Sequence, residues 1–128
     1  MFGKTETNSR LRSPRQRTGA QHERTAEQFL QRQGLKLLQR NYLCKLGEID
    51  LIMRDGDQLV FVEVRYRKDA SFGLAQETVT PAKQRKLLRA AQYYLQLNFA
   101  ADPPSRFDVV AVHQHQPLEW IQNAFSAE

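Results

Sequence analysis

Acidic side chains interrupt two apolar runs of the sequence. Residues 47–52 (GEIDLI) carry Glu48 and Asp50, and residues 60–65 (VFVEVR) carry Glu63. If both runs are strands, alternate side chains share a face, so that Glu48 and Asp50 project together. Carboxylates that meet on neighbouring strands can hold a hard divalent cation, because Mg²⁺ takes one or two protein carboxylates and completes its shell with water and phosphate.

The connection between the two runs decides whether these carboxylates meet. Residues 55–58 (DGDQ) form it, and Gly56 can adopt the positive φ of a tight turn. A two-residue loop at Gly56-Asp57, or a four-residue loop from Asp55 to Gln58, places Asp50 directly across from Glu63. A loop made of Asp55 and Gly56 places Glu48 across from Glu63 and leaves Asp50 diagonal, and a three-residue loop breaks the arrangement unless a bulge restores it. Facing carboxylates about 5 Å apart need a neutralising partner, whereas a surface hairpin would carry solvated charges on one face.

Three further residues are candidates for the same site. Glu23 lies three residues before Ala26 and seven before Leu30, at the margin of an apolar helical stripe. It could face the sheet as a direct or water-mediated ligand. Arg65 can contact a phosphate or stabilise negative charge, but it stays protonated and cannot act as a base. Lys83, near the start of a second helix, is a substitute cation or a phosphate contact, and the alternative is a solvated first-turn lysine.

Basic residues flank the polar segment at positions 67–79 on both sides. If both groups border the acidic site, they form a rim that binds phosphate. Taken separately, those on the helix are a solvated face. The residues are Arg65, Arg67 and Lys68 before the segment and Lys83, Arg85, Lys86 and Arg89 after it.

Periodicity and turn signals predict the elements that position these residues. A first helix starts near Thr18 or Gly19 and ends at Gly34, and a second has Thr80 as its cap and Pro81 in its first turn. The order is helix, three strands, helix, then one or two strands, which predicts an α/β fold with a mixed sheet. Strands are predicted over residues 35–43, 46–54, 58–66, 106–112 and 118–121.

Length and composition fit one ordinary domain. The chain has 128 residues, of which 41% are hydrophobic and 26% charged, and this excludes wholesale disorder. The single cysteine, Cys44, excludes an internal disulfide framework and fits a reducing compartment. No apolar stretch approaches the roughly 20 residues of a membrane span. We therefore expect a cytoplasmic protein with no membrane partner.

The net charge of +5 lies mostly at the N-terminus. Residues 1–17 hold five of the 19 Lys and Arg residues but only one of the 14 acids, Glu6. This segment has few apolar residues to bury, so we interpret it as a mobile basic arm. Such an arm is either an inert tail or a source of salt-sensitive affinity for a polyanion. Residues 18–128 are predicted to form the single domain.

Eight blocks of the sequence stand in a recognisable order. They are Glu23 with Ala26 and Leu30, then Arg40-Asn41-Tyr42, GEIDLI, VFVEVR, Phe72-Gly73, Lys83, RFDVV at 106–110, and Asn123-Ala124-Phe125. Over about residues 19–125 they closely resemble the YraN-like family of uncharacterised bacterial proteins. That family looks like a branch of the restriction-endonuclease-like nucleases, distantly similar to archaeal Holliday-junction resolvases. The resemblance implies an αβββαβ core whose mixed central sheet is flanked by helices.

The resemblance also implies the nuclease pattern Asp…Glu-x-Lys with an acid from the first helix. Asp50 and Glu63 match the metal-binding carboxylates, and Glu23 matches the helix acid. Arg65 stands where the pattern has lysine. The expected activity is a Mg²⁺-dependent DNA endonuclease, with Mn²⁺ as a substitute, that acts on branched or damaged DNA.

Two consequences follow from this comparison. Resolvase-like action needs two active sites and hence a homodimer. Because arginine replaces the lysine of the pattern, the rival hypothesis is a non-catalytic nucleic-acid-binding or assembly module that keeps the nuclease fold. A small-molecule enzyme has no support, since the sequence contains no phosphate-cradling glycine loop and no nucleophile–base motif.

Overall fold

A computed structural model describes residues 13–68 and 79–126, which form two helices and five strands. The order of these elements confirms the predicted α/β fold. Most of the basic arm and the segment at 69–78 lie outside the described residues. In chain order the elements are α1 (Pro14–Arg32), β1 (Lys36–Cys44), β2 (Gly47–Asp55), β3 (Gln58–Arg67), α2 (Pro81–Asn98), β4 (Ser105–His113) and β5 (Glu119–Phe125).

Helix α1 begins earlier than the sequence predicted. Ser13 Oγ accepts a hydrogen bond from Gln16 N at 3.2 Å, and Gln16 Oε1 accepts one from Ser13 N at 2.9 Å. This capping box, with Pro14 in the first turn, starts the helix without burying apolar side chains. Residues 14–17 of the expected arm are therefore helical. Neither described helix is long and apolar enough to cross a membrane.

The five strands form one mixed sheet in the order β1-β2-β3-β4-β5. Strands β3 and β4 are parallel, and the other neighbours are antiparallel. Helix α2 is the crossover between the parallel pair and covers one face, where it packs on Ile52 and Phe61. Helix α1 covers the other face, where Leu30 packs with Leu51 and Val62.

The hairpin of β2 and β3 adopts the register that brings the acids together. Asp55 pairs with Gln58 across a two-residue loop in which Gly56 has φ of 62°. The ladder continues to the pair Leu51–Val62 and ends there. The next positions along the two strands are Asp50 and Glu63. The register expected for a two-residue loop at Gly56-Asp57 is therefore observed, and the regular pairing stops one position before Asp50 and Glu63.

A buried carboxylate fastens β4 to its neighbours. Asp108 is fully buried and accepts hydrogen bonds from Arg106 Nε at 3.0 Å, Trp120 Nε1 at 2.9 Å and the backbone N–H of Asn123 at 2.9 Å. Arg106 also donates to Asp55 Oδ2 at 3.1 Å. The last residue of β2 and the edge strand β5 are thus held to one ion-paired group in β4.

Replacing Asp108 with alanine should lower the free energy of unfolding by about 3–5 kcal/mol, because the Arg106 charge would be left buried without its main partner. Chemical denaturation of Asp108→Ala measures the loss. The control is Asp102→Ala, which removes an exposed acid from the connection between α2 and β4 and should change stability by less than about 0.5 kcal/mol. Equal effects of the two substitutions would contradict this account.

Candidate functional site

The end of the β2–β3 ladder forms a fork in the sheet that exposes backbone groups. Asp50 lies at the branch point, where its Oδ2 accepts a hydrogen bond from the backbone N–H of Val64 at 2.9 Å. The side chain of Asp50 thus takes the place of a strand partner. It also faces the carboxyl of Glu63 closely enough for a proton to be shared between them.

Glu63 is the buried centre of the site. Its residue surface is only 5% exposed, and its Oε2 lies 3.3 Å from Arg65 Nε and 3.9 Å from Lys83 Nζ. Within the described part of the chain, Glu63 Oε1 and Arg65 Nε are both buried without a hydrogen-bond partner. The site therefore presents one acceptor and one donor, side by side, that can each receive a further group.

Glu23 approaches the pair from helix α1, as predicted. Asn41 Nδ2 donates a hydrogen bond to Glu23 Oε1 at 2.8 Å. Asn41 has φ of 50°, a left-handed conformation that asparagine tolerates better than most residues, and it stands opposite Asp50 in the β1–β2 pairing. Burial raises the pKa of Glu23 to about 7 against the Asn41 hydrogen bond, and the negative charges of Asp50 and Glu48 add to the rise.

Burial also dominates the pKa values of Glu63 and Asp50. Burial, and then the charge of Asp50, raise the pKa of Glu63 to about 8 although Lys83 and Arg65 oppose the shift. Burial also raises the pKa of Asp50, against the hydrogen bond from Val64 N–H. The protein alone therefore favours a protonated Glu63 near neutral pH. A bound cation would reverse this preference, because it favours the ionised form.

The donor set fits a cation held by two carboxylates. Across residues 13–68 and 79–126, no group of three or more His, Cys, Asp or Glu side chains is placed to hold a metal ion. Asp50 and Glu63 nevertheless supply the one or two protein carboxylates that Mg²⁺ usually takes, and Glu63 Oε1 is the oxygen without a partner. Glu23 stands behind Asp50 and fits an outer, water-mediated position better than a third direct contact.

The predicted basic rim is only partly gathered at this site. Arg65 and Lys83 border Glu63 directly. Arg67 is 7% exposed, so little of its surface can meet a ligand. Lys68, at the end of β3, and Arg85 and Lys86, on α2, are exposed.

Sequence reasoning missed two contacts that position the acids. The backbone N–H of Val64 and the side chain of Asn41 hold Asp50 and Glu23. The first leaves no trace in the sequence, because any residue supplies an N–H. The second had one available signal, an asparagine within an otherwise strand-forming run, which indicates a left-handed backbone position.

Comparison with known proteins places the chain among relatives of similar length. The sequence model of the uncharacterised protein family UPF0102 matches residues 22–112. A UPF0102 protein of Pseudomonas syringae pv. syringae (strain B728a) is 52% identical over 121 residues, covering 91% of this chain and 98% of the relative. UPF0102 proteins of Vibrio campbellii and Nitrosomonas eutropha are 54% and 53% identical, each covering 84% of this chain and 91% of the relative.

Glu63→Gln should stabilise the metal-free protein at alkaline pH. The folded-state pKa of about 8 lies above the ordinary value of 4.5, so the folded state binds more protons than the unfolded state between these values. The free energy of unfolding therefore falls as pH rises through this window. Denaturation in chelator at pH 5 and pH 8 should show this fall, and Glu63→Gln should regain more than about 1 kcal/mol at pH 8.

The control for this measurement is Asp57→Asn, which removes an exposed carboxylate from the hairpin turn. It should leave the slope of stability against pH unchanged. A wild-type protein whose stability rises between pH 5 and pH 8, or a Glu63→Gln variant with the wild-type slope, would contradict the assignment.

Proposed function

The chain belongs to the uncharacterised protein family UPF0102, and we propose that it is a metal-dependent DNA endonuclease that hydrolyses phosphodiester bonds. Membership confirms the resemblance to the YraN-like proteins, which form this family. A family described as uncharacterised carries no activity with it, so the proposal rests on the chain's own site.

The observation that carries the proposal is the presence of two buried polar atoms without a hydrogen bond among the described residues, Glu63 Oε1 and Arg65 Nε, within the ion pair that joins these two residues beside Asp50. A divalent cation could bind to Glu63 Oε1, and a phosphate oxygen could accept a hydrogen bond from Arg65 Nε. A single phosphodiester group next to a cation would satisfy both. The carboxylate pair, the two flanking cations and the fork that opens the sheet at this point are consistent with such a substrate.

The side chains can be assigned roles from their positions. Asp50 and Glu63 would bind Mg²⁺, or Mn²⁺ in its place, and the hydrogen bond from Val64 N–H fixes the orientation of Asp50. When bound, the cation supplies charge stabilisation at the scissile phosphate and lowers the pKa of water. Glu23, oriented by Asn41, faces Asp50 and can hold a water in the outer shell.

Two cations complete the site. Arg65 Nε can donate to a phosphate oxygen, and Arg65 remains charged throughout, so its role is electrostatic. Lys83 Nζ lies 3.9 Å from Glu63 Oε2 and would supply a second positive charge near the phosphate. The site thus carries two positive charges beside Glu63, although arginine stands where the pattern has lysine.

DNA is the proposed substrate because two cations, Arg65 and Lys83, lie beside the carboxylate pair and can contact a phosphate. Exposed Lys68, Arg85 and Lys86 are available for salt-sensitive contacts to neighbouring phosphates. Branched or damaged DNA is the substrate class that the family resemblance suggests. A homodimer belongs to that proposal, since a junction is resolved by two cuts.

The second candidate is a nucleic-acid-binding module without catalysis. Two observations favour it: arginine stands at position 65, and the described residues contain no three-ligand metal group. In that case DNA binding would be salt-sensitive and independent of Asp50, and the protein would take up no divalent cation.

Purified protein should nick DNA in the presence of Mg²⁺ or Mn²⁺, and Asp50→Asn or Glu63→Gln should lower the rate by at least about 100-fold, the scale on which lost charge stabilisation is felt in a transition state. The measurement is conversion of labelled linear, flapped and four-way DNA. Glu48→Gln is the matched control, because Glu48 is an exposed carboxylate two residues from Asp50. It should keep the rate within a few-fold of wild type.

The nuclease proposal would be contradicted if linear, flapped and four-way DNA all stayed intact with Mg²⁺ and with Mn²⁺. Nicking by both the Asp50→Asn and the Glu63→Gln variants would show that this site is not the source of the activity. It would point instead to a contaminating enzyme. Intact DNA together with tight binding that Asp50→Asn leaves unchanged would favour the non-catalytic module.

A further inference from the structure

We propose that the stacked rings of His22 and Tyr66 form a platform for one unpaired base of the DNA, close to the bond that is cut. This inference rests on the proposed function in one respect, since it places the base relative to Glu63. It names the substrate class as DNA that carries unpaired bases beside a duplex.

The two rings stack face to face, and Tyr66 is the more exposed of the two. Their centroids are 4.1 Å apart and their planes differ by 6°. Tyr66 is 42% exposed, and neither ring belongs to the two hydrophobic clusters of the described residues. Core packing therefore does not account for the stack.

The platform lies beside the acidic site along the chain. His22 directly precedes Glu23, and Tyr66 directly follows Arg65. The β2–β3 ladder ends at Val62, so the edge of β3 beyond this point has no ladder partner in β2. A DNA strand that crosses this edge reaches side chains of both sheet faces. Glu63 and Arg65 project on one face, and Tyr66 projects on the other.

The spacing fits a strand that spans the two features. Tyr66 lies three residue steps after Glu63, which is about 10 Å along a strand. Stacked bases of one DNA strand are about 3.4 Å apart, so the same distance corresponds to about three base steps. Because the two side chains project on opposite faces, the base on the platform is expected at least about three nucleotides from the cut.

An aromatic platform selects unpaired bases. Within a duplex both faces of each base are covered by neighbouring base pairs, whereas a flap, gap or overhang frees one face. Stacking on an aromatic side chain contributes about 1–3 kcal/mol per base and tolerates any sequence, because every base has a π face. The structure thus favours recognition of unpaired bases over recognition of a particular base sequence.

The test compares a duplex that carries a single-stranded overhang with the matching blunt duplex, by fluorescence anisotropy without divalent cations. Tyr66→Ala should weaken binding of the overhang substrate about tenfold and change binding of the blunt duplex less than about twofold. Tyr66→Phe keeps the ring and should bind both as wild type does. Tyr93→Ala, which removes a part-exposed tyrosine of α2, is the control and should change neither.

A second readout does not depend on affinity. A 2-aminopurine placed in the overhang should lose fluorescence on binding wild-type protein and Tyr66→Phe, and should stay bright with Tyr66→Leu, which keeps an apolar side chain but cannot stack. Thermal melts establish that each variant is folded. Tyr66→Leu serves as the affinity variant if Tyr66→Ala does not fold.

Equal losses for the two substrates, or 2-aminopurine quenching that persists in Tyr66→Leu, would overturn the platform. Its failure is separable from that of the nuclease. If nicking requires Glu63 but does not depend on Tyr66, only the platform proposal is rejected. Selective binding of overhangs that needs Tyr66, in a protein that never nicks, would establish the platform and remove the nuclease.

Discussion

The burial of Glu63 against Asp50 is the interaction on which the rest of the site depends. Two carboxylates in contact, one of them 5% exposed, repel each other more strongly than they would in water. Burial, and then the charge of Asp50, raise the pKa of Glu63 to about 8 although Lys83 and Arg65 oppose the shift. An arrangement of this kind lowers stability unless a ligand relieves it, and natural proteins tend to retain such strain at functional sites. A divalent cation is the ligand that relieves both acids together.

The fold supplies this arrangement through a break in regular pairing. The β2–β3 ladder is complete at the hairpin end, where Arg106 and Asp108 anchor Asp55, and it ends at Leu51–Val62. Beyond this pair, β2 continues only with β1, and Asp50 takes the place of a strand partner for Val64. Helix α2 then brings Lys83 to the fork from one face, while α1 brings Glu23 from the other. The site therefore forms at the point where β2 and β3 separate.

Sequence patterns predicted most of this framework because the underlying physics is local. Gly56 in a short polar turn set the hairpin register, and the Thr80-Pro81 cap set the start of α2. The start of α1 was misplaced because its capping box needs no buried residues, whereas the expectation relied on burial. The stacking of His22 on Tyr66 could not be foreseen, because it joins residues more than forty positions apart and depends on how α1 lies on the sheet. The burial of Arg67 could not be foreseen either, because it depends on tertiary packing.

The most direct test of the central claim is calorimetric titration of Mn²⁺ into the metal-free protein near pH 7, in two buffers of different ionisation enthalpy. Ionisation of Glu63 on binding predicts one ion per chain, a net release of protons and a loss of binding in Asp50→Asn. Glu48→Gln should bind as wild type does. Absence of binding, or equal binding by wild type and Asp50→Asn, would contradict the claim that this buried carboxylate pair is a cation site.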